Sequence, residues 1–221
     1  MLCPPQCCAG IDLFGRMGSL LTVATWLFFA IAMVMPTWTE VSDLGRAGNL
    51  CNDDCLDAEC SGIRATFGLL RYCMETAADL NGGAKKELVC MFYSEEVQIV
   101  GIAESINAFD RFESVDLKQS VEWTTIALSV GIGCAAFADI FSEKLLPSAI
   151  LSAMAGAAGV VALSFWLALQ TKLDGEVAGS AESSDGVYVV ATAFCISFFT
   201  MIVYGVNACK AAKQGSDSTE A

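Results

Sequence analysis

Four runs of about twenty apolar residues dominate this chain, and they limit its fold more than any motif does. The first runs from about Met17 to Met35 and is stopped by Pro36. The second covers about Trp123 to Phe141, the third Pro147 to Leu169, and the fourth Val187 to Ala208. Asp139, near the end of the second, is the one charged residue in any of them. A helix needs about 20 mostly apolar residues to cross the hydrocarbon core. Helices buried in a soluble core are shorter and keep a polar face, which these runs lack. The expectation is therefore an all-α membrane protein whose spans are TM1 over 17–36, TM2 over 121–141, TM3 over 147–170 and TM4 over 187–208. A segment 1–16 precedes them, a large loop 37–120 and a short loop 171–186 join them, and a tail 209–221 follows.

The first run is longer than the roughly 7–15 residues of a signal-peptide core. Met35-Pro36-Thr37-Trp38 is also a poor small-residue cleavage site. It reads as a retained span that directs the chain into the secretory route. Short flanks with positive charge are those of Arg16, Lys144, Lys210 and Lys213. The positive-inside rule then places both termini and the Ser142–Leu146 turn in the cytosol, most simply at the plasma membrane. Both remaining loops face outward. Residues 37–120 hold 15 Asp and Glu against 7 Lys and Arg, a net of -8 out of -13 for the whole chain of 221 residues.

That balance excludes nucleic acid as a partner, because little is available to neutralise phosphates. The chain has no histidine, so it lacks the commonest general base and metal ligand. Neither a nucleophile elbow nor a phosphate loop is present, and no cofactor or enzyme activity is expected. The partners expected are the lipid bilayer and other membrane proteins. Small residues recur at helical spacing in the third run, where Ser152 and Gly156 share a face, and in the second, which holds Gly131 and Gly133. Such stripes let helix backbones approach closely in lipid. Asp139 lies within a turn of Glu143 and Lys144 and is expected at the membrane interface, without a special role.

The cysteines fall into groups. Cys51, Cys55, Cys60, Cys73 and Cys90 lie in the large loop, where an oxidising compartment favours disulfides. An odd number leaves at least one unpaired within the loop. The spacing of Cys51, Cys55 and Cys60, with no histidine to help, argues against zinc. Asp53, Asp54, Asp57 and Glu59 surround that cluster; a solvated surface is the plainer expectation, and cation focusing beside a pore the sharper one. Phe67–Met74 and Leu88–Tyr93 are rich in strand formers, and Leu80-Asn81-Gly82-Gly83 between them is a hairpin turn signal. Such a hairpin could bring Cys73 and Cys90 together, although the spacing alone leaves the pairing open. Further on, Ile99, Ile102, Ile106 and Phe109 suggest an amphipathic helix leading into the second span. Cys3, Cys7, Cys8 and Cys209 flank the first and fourth spans and are plausible S-acylation positions, with free thiols as the alternative.

The layout of four spans, large first outer loop and small second one, together with Trp38, then Gly68-Leu69-Leu70-Arg71-Tyr72-Cys73, then Cys90, resembles the claudin/PMP22-like superfamily. Members carry a Trp soon after the first span, then Gly-Leu-Trp, two residues, a Cys and a second Cys. Leu70 stands where the family has Trp, and Cys51, Cys55 and Cys60 have no counterpart. The resemblance implies a left-handed four-helix bundle carrying a small antiparallel β-sheet in the first outer loop. It also implies a Cys73–Cys90 bridge through that sheet, with Trp38 and Leu69 packing the sheet on the bundle. It implies a non-enzymatic role in cell–cell adhesion, a paracellular barrier or membrane organisation. The alternative is an accessory subunit of an ion channel or receptor.

Overall fold

The computed structural model describes residues 5–42, 64–78, 85–93, 96–97, 106–107, 116–176 and 180–217. Four long helices account for most of them: α1 (Pro5–Val34), α2 (Leu117–Ile140), α3 (Leu145–Glu176) and α4 (Asp185–Asp217). Each contains a stretch long and apolar enough to cross a membrane, at mean hydropathies between 1.5 and 2.1. Helix ends follow local chemistry. α1 stops two residues before Pro36, which disfavours helix at Met35. Pro147 sits in the first turn of α3, the one part of a helix that tolerates it. Asp116 precedes α2 with φ 56°, a left-handed conformation that Asp adopts more readily than most residues.

Seven strands are present among the described residues: β1 (Thr39–Val41), β2 (Ala65–Phe67), β3 (Arg71–Ala78), β4 (Lys85–Phe92), β5 (Glu96–Val97), β6 (Ile106–Asn107) and β7 (Ala181–Ser183). Five form an antiparallel sheet in the order β4-β3-β2-β1-β7. The sheet therefore draws on both connections: β7 comes from the short loop before α4, not from the first loop. The expected hairpin is present as β3 and β4, in a register that sets Cys73 opposite Cys90. Its turn, the Asn81-Gly82-Gly83 signal, lies outside the described residues.

β5 and β6 pair with each other, Val97 opposite Ile106, where the sequence suggests an amphipathic helix. Val97 and Ile106 are β-branched, which suits the extended pairing rather than the apparent helical period. Ile99, Ile102 and Phe109 lie outside the described residues.

The chain divides into two compact units. The first comprises 1–31, 126–161 and 189–221, and its described residues are helical apart from the turn 141–144. Small residues set its spacing. A Cβ on Gly156 would lie 3.2 Å from the Phe198 ring, one on Gly131 3.2 Å from Phe29, and one on Gly159 3.0 Å from both Phe194 and Phe29. Phe29 is fully buried among them. Ser197 donates to the carbonyl of Ser152 at 2.6 Å, and Ser148 donates to the carbonyls of Ala138 and Phe141 around the α2–α3 turn. These are the close backbone approaches and interhelical hydrogen bonds that associate helices without a hydrophobic drive. Of the residues expected to pack helix on helix, Ser152, Gly156 and Gly131 have the neighbours given above. Gly133 differs: a Cβ there meets nothing within 4 Å, so no neighbour among the described residues demands glycine.

The second unit comprises 32–125 and 162–188 and holds the sheet with the helix segments that back it. Trp38, Phe67, Leu69, Tyr72 and Cys73 from the sheet side are buried, as are Leu117, Trp166, Leu169 and Leu173 from α2 and α3. Polar side chains of α3 hold β7 in place. Gln170 donates to the carbonyl of Ala181 at 2.9 Å and accepts from Ser183 at 2.8 Å, and Asp174 accepts from the N–H of Ala181 at 3.0 Å.

Candidate functional site

The second unit carries the chain's most specific construction, a seam around Trp38. Its indole N–H donates to the carbonyl of Ala32 at 2.7 Å, closing the exit of α1. Its ring lies 5.0 Å from that of Trp166, tilted by 59°, while the Trp166 indole N–H donates to Thr39 Oγ1 at 2.8 Å. Both rings are fully buried with their N–H groups satisfied, which is the condition under which tryptophan is tolerated in a core. Backbone hydrogen bonds hold the same strip from both sides. Trp38 N–H donates to Phe67, Ser184 N–H to Trp38, and Gly186 N–H to Thr37.

Two glycines make that closeness possible. A Cβ on Gly186 would fall 2.4 Å from Trp38 Cδ1, and one on Gly68 would fall 2.4 Å from the Met35 carbonyl oxygen and 2.8 Å from Pro36 Cα. The Gly68 carbonyl accepts from Tyr93 Oη at 2.6 Å. Tyr93, Tyr72 and Phe67 stack in sequence, with centroids 5.5 and 6.5 Å apart. Burial, and Tyr72 beside it, push the Tyr93 phenol well above its ordinary range, so it stays neutral and donates.

Cys73 and Cys90 form a disulfide across the β3–β4 pair, with Cys73 fully buried. Leu69 is buried, whereas Leu70 is 41 % exposed in the turn between β2 and β3. Arg71 follows Leu70 and pairs with Phe92, itself 55 % exposed. Two large apolar side chains thus stand out at one corner of the sheet. Beside them β4 forms one end of the sheet, and among the described residues no strand pairs with its outer side.

No family model and no curated protein matches this chain. The geometry must carry the reading by itself.

Among the remaining expected residues, Asp139 is half-buried and accepts a 2.5 Å hydrogen bond from Ser19 Oγ, so α1 supplies its partner. Cys209 is an exposed thiol near the end of α4. Cys7 and Cys8 fall in α1, and Cys3 lies outside the described residues, as do Cys51, Cys55 and Cys60 with Asp53, Asp54, Asp57 and Glu59. Among the described residues no cluster of three or more His, Cys, Asp or Glu is placed to hold a metal.

Trp166, Gly186 and Tyr93 are structural parts of the seam that sequence reasoning passes over. Trp166 sits inside an apolar run where any large residue fits. The signal available was a pair of tryptophans at the ends of two apolar runs, one just beyond Pro36 and one three residues before Leu169.

Proposed function

We propose that this chain is an integral membrane protein with four spans and a claudin-like layout, working without catalysis through the sheet formed from its outer loops. Its role in this reading is adhesion between cells, a paracellular barrier or membrane organisation. One observation carries the proposal: a disulfide-stapled sheet that presents Leu70 and Phe92 at one corner beside the open edge of β4. An open edge offers backbone donors and acceptors to another strand, and neighbouring apolar side chains supply contact area and choice of partner.

The membrane part of the reading rests on where exposed apolar residues lie. Among the described residues, every large exposed apolar side chain apart from Leu70 and Phe92 sits on or beside the four helices, for example Leu20, Phe137, Ile150 and Phe199. Such surfaces suit lipid and would be a liability in water. Trp123 and Tyr188, exposed early in α2 and α4, suit the aromatic belt at a membrane boundary. With Arg16, Lys144, Lys210 and Lys213 on the cytosolic side, both termini are cytosolic and the acidic loop 37–120 faces outward at the plasma membrane.

The test is clustering at contacts between cells that lack junctions of their own and express the full chain. The wild type is expected to accumulate at contacts between two expressing cells, and Leu70→Asp with Phe92→Asp to spread evenly over the surface. Both variants must reach the surface with Cys73 and Cys90 still bridged, since neither position is buried. Equal clustering by the double variant overturns the proposed surface. A stoichiometric channel or receptor partner on purification makes the chain an accessory subunit instead.

A further inference from the structure

Three helices of the first unit bring oxygen atoms together at residues 18–22 of α1. Asp139 of α2 accepts the 2.5 Å hydrogen bond from Ser19 Oγ. Tyr204 of α4 lies against the neighbouring residue, since a Cβ on Gly18 would fall 2.6 Å from its Cζ and 2.9 Å from its Oη. Thr22, one turn further along α1, stands beside the same phenol. Its own proton is committed to the carbonyls of Gly18 and Ser19, at 3.2 and 2.8 Å. Tyr204 is fully buried, yet its Oη has no hydrogen-bond partner among the described residues. Buried hydroxyls are nearly always satisfied, so this oxygen points to a ligand. Asp139 has a matching need. It is the one charged residue in the four apolar runs, and no cation among the described residues pairs with it. Lys144 is turned over the Phe141 ring, and Arg16, three residues before Ser19, is exposed. A carboxylate inside a span is costly until something compensates its charge.

We propose that Asp139, Ser19, Thr22 and Tyr204 hold one sodium ion among the three helices. The ion gives Asp139 its countercharge and the phenol oxygen of Tyr204 its partner, so one ligand meets both needs. The donor set selects the ion. A single carboxylate balances a single positive charge, and three hydroxyls add neutral oxygens. Calcium draws on several carboxylates, and among the described residues no group of three or more His, Cys, Asp or Glu is placed to supply them. Potassium is held by rings of backbone carbonyls, whereas the Gly18 and Ser19 carbonyls already accept from Thr22. Access follows from burial. Asp139 and Ser19 are partly exposed at the cytosolic end of their helices, while Thr22 and Tyr204 are closed off behind them. The proposal rests on reading the four helices as spans.

Thermal unfolding of the full chain in detergent, with sodium chloride exchanged for choline chloride at constant ionic strength, tests it. For a Kd of about 10 mM, raising sodium from about 1 to 150 mM should lift Tm by about 3–6 °C. Asp139→Asn keeps an acceptor for Ser19 and should abolish the response. Tyr204→Phe keeps the ring against Gly18 and should weaken sodium about tenfold. In choline chloride that variant should melt at or above the wild type, because a buried hydroxyl without a partner is gone. The same loss of Tm in both salts would make the phenol purely structural and overturn the proposal. So would a sodium response that survives Asp139→Asn, or equal stabilisation by potassium chloride. A wild type that ignores sodium and gains Tm on acidification in choline chloride makes Asp139 a proton site, which also overturns it. Release of the chain by alkaline carbonate would overturn the four-span reading and the proposal with it, whereas a retained chain without a sodium response overturns the proposal alone.

Discussion

Replacing Gly186 by Ala adds one methyl group at the tightest point of the Trp38 seam. Its Cβ would stand 2.4 Å from Trp38 Cδ1, 2.6 Å from Nε1 and 2.7 Å from Cγ, all well inside van der Waals contact. Something must move by about an ångström, and each candidate is held. Trp38 is tied to the Ala32 carbonyl and lies against Trp166, and the Gly186 N–H is itself bonded to Thr37. Overpacking of this kind costs about 1–3 kcal/mol. Loss of the indole hydrogen bond adds about 1 kcal/mol. The better helix propensity of alanine returns up to about 1 kcal/mol. The net destabilisation is about 2 kcal/mol, which for a chain of this length lowers Tm by about 4–8 °C. Tryptophan emission during thermal unfolding of the purified protein reads it directly, because Trp38 and Trp166 report on the seam. Gly133→Ala is the matched control, since its Cβ meets nothing within 4 Å, and its Tm should stay within about 1 °C of the wild type. Gly186→Ala and Gly133→Ala giving the same Tm would refute the reasoning that the seam is close-packed.

Removing the staple by Cys73→Ala with Cys90→Ala releases a loop with 16 residues between its cysteines, and should lower stability by about 3 kcal/mol; non-reducing peptide mapping of the wild type must recover the bridge for that figure to hold. In hydrogen exchange, the same double variant should lose protection first in β3 and β4 and last in β1. Tyr93 makes stability depend on alkaline pH. Its folded-state pKa is raised above the unfolded value near 10, so its stabilising effect is complete below about pH 10 and is lost as pH rises beyond it. Denaturant unfolding between pH 8 and pH 11 should show the wild type falling more steeply above pH 10 than Tyr93→Phe, and parallel curves would show that the phenol is not buried. At neutral pH, Tyr93→Phe leaves the Gly68 carbonyl without its donor and should cost about 1–2 kcal/mol.

The four long helices were legible because length and uninterrupted apolarity are local properties, and Pro36 and Pro147 mark ends by their own chemistry. The β3–β4 hairpin was legible for a similar reason, with strand formers flanking an Asn-Gly turn signal. Three residues of β7 carry no such signal. Ala181-Glu182-Ser183 becomes a strand only because Gln170, Asp174 and β1 take up its backbone groups, and that depends on the rest of the fold. The glycines of the seam were half legible. Gly68 stood out within a motif, whereas the need for glycine at 186 arises from a ring that arrives from residue 38. Asp139 was legible as an exception in an apolar run, yet its partner Ser19 lies 120 residues away.

The seam and the staple act on different parts of the sheet, and together they explain which part is left for other molecules. β2 pairs with β3 only over Tyr72, Cys73 and Met74. Beyond them β3 and β4 continue for four further pairs, Glu75 with Leu88 through Ala78 with Lys85, as a two-stranded ribbon. Two strands alone are marginal in water, so such a ribbon needs support at its base. The disulfide sits at that base, at the last positions where β2 still holds β3. At the other end of the sheet, α3 fixes β7 through Gln170 and Asp174, and the tryptophan seam fixes β1. Support is therefore concentrated on the β7–β1 side and at the root of the hairpin. Among the described residues no strand pairs with the outer side of β4, and Leu70 and Phe92 are exposed at its corner. A sheet anchored in this one-sided way presents its free edge at a defined position, which is what recognition of a partner strand requires.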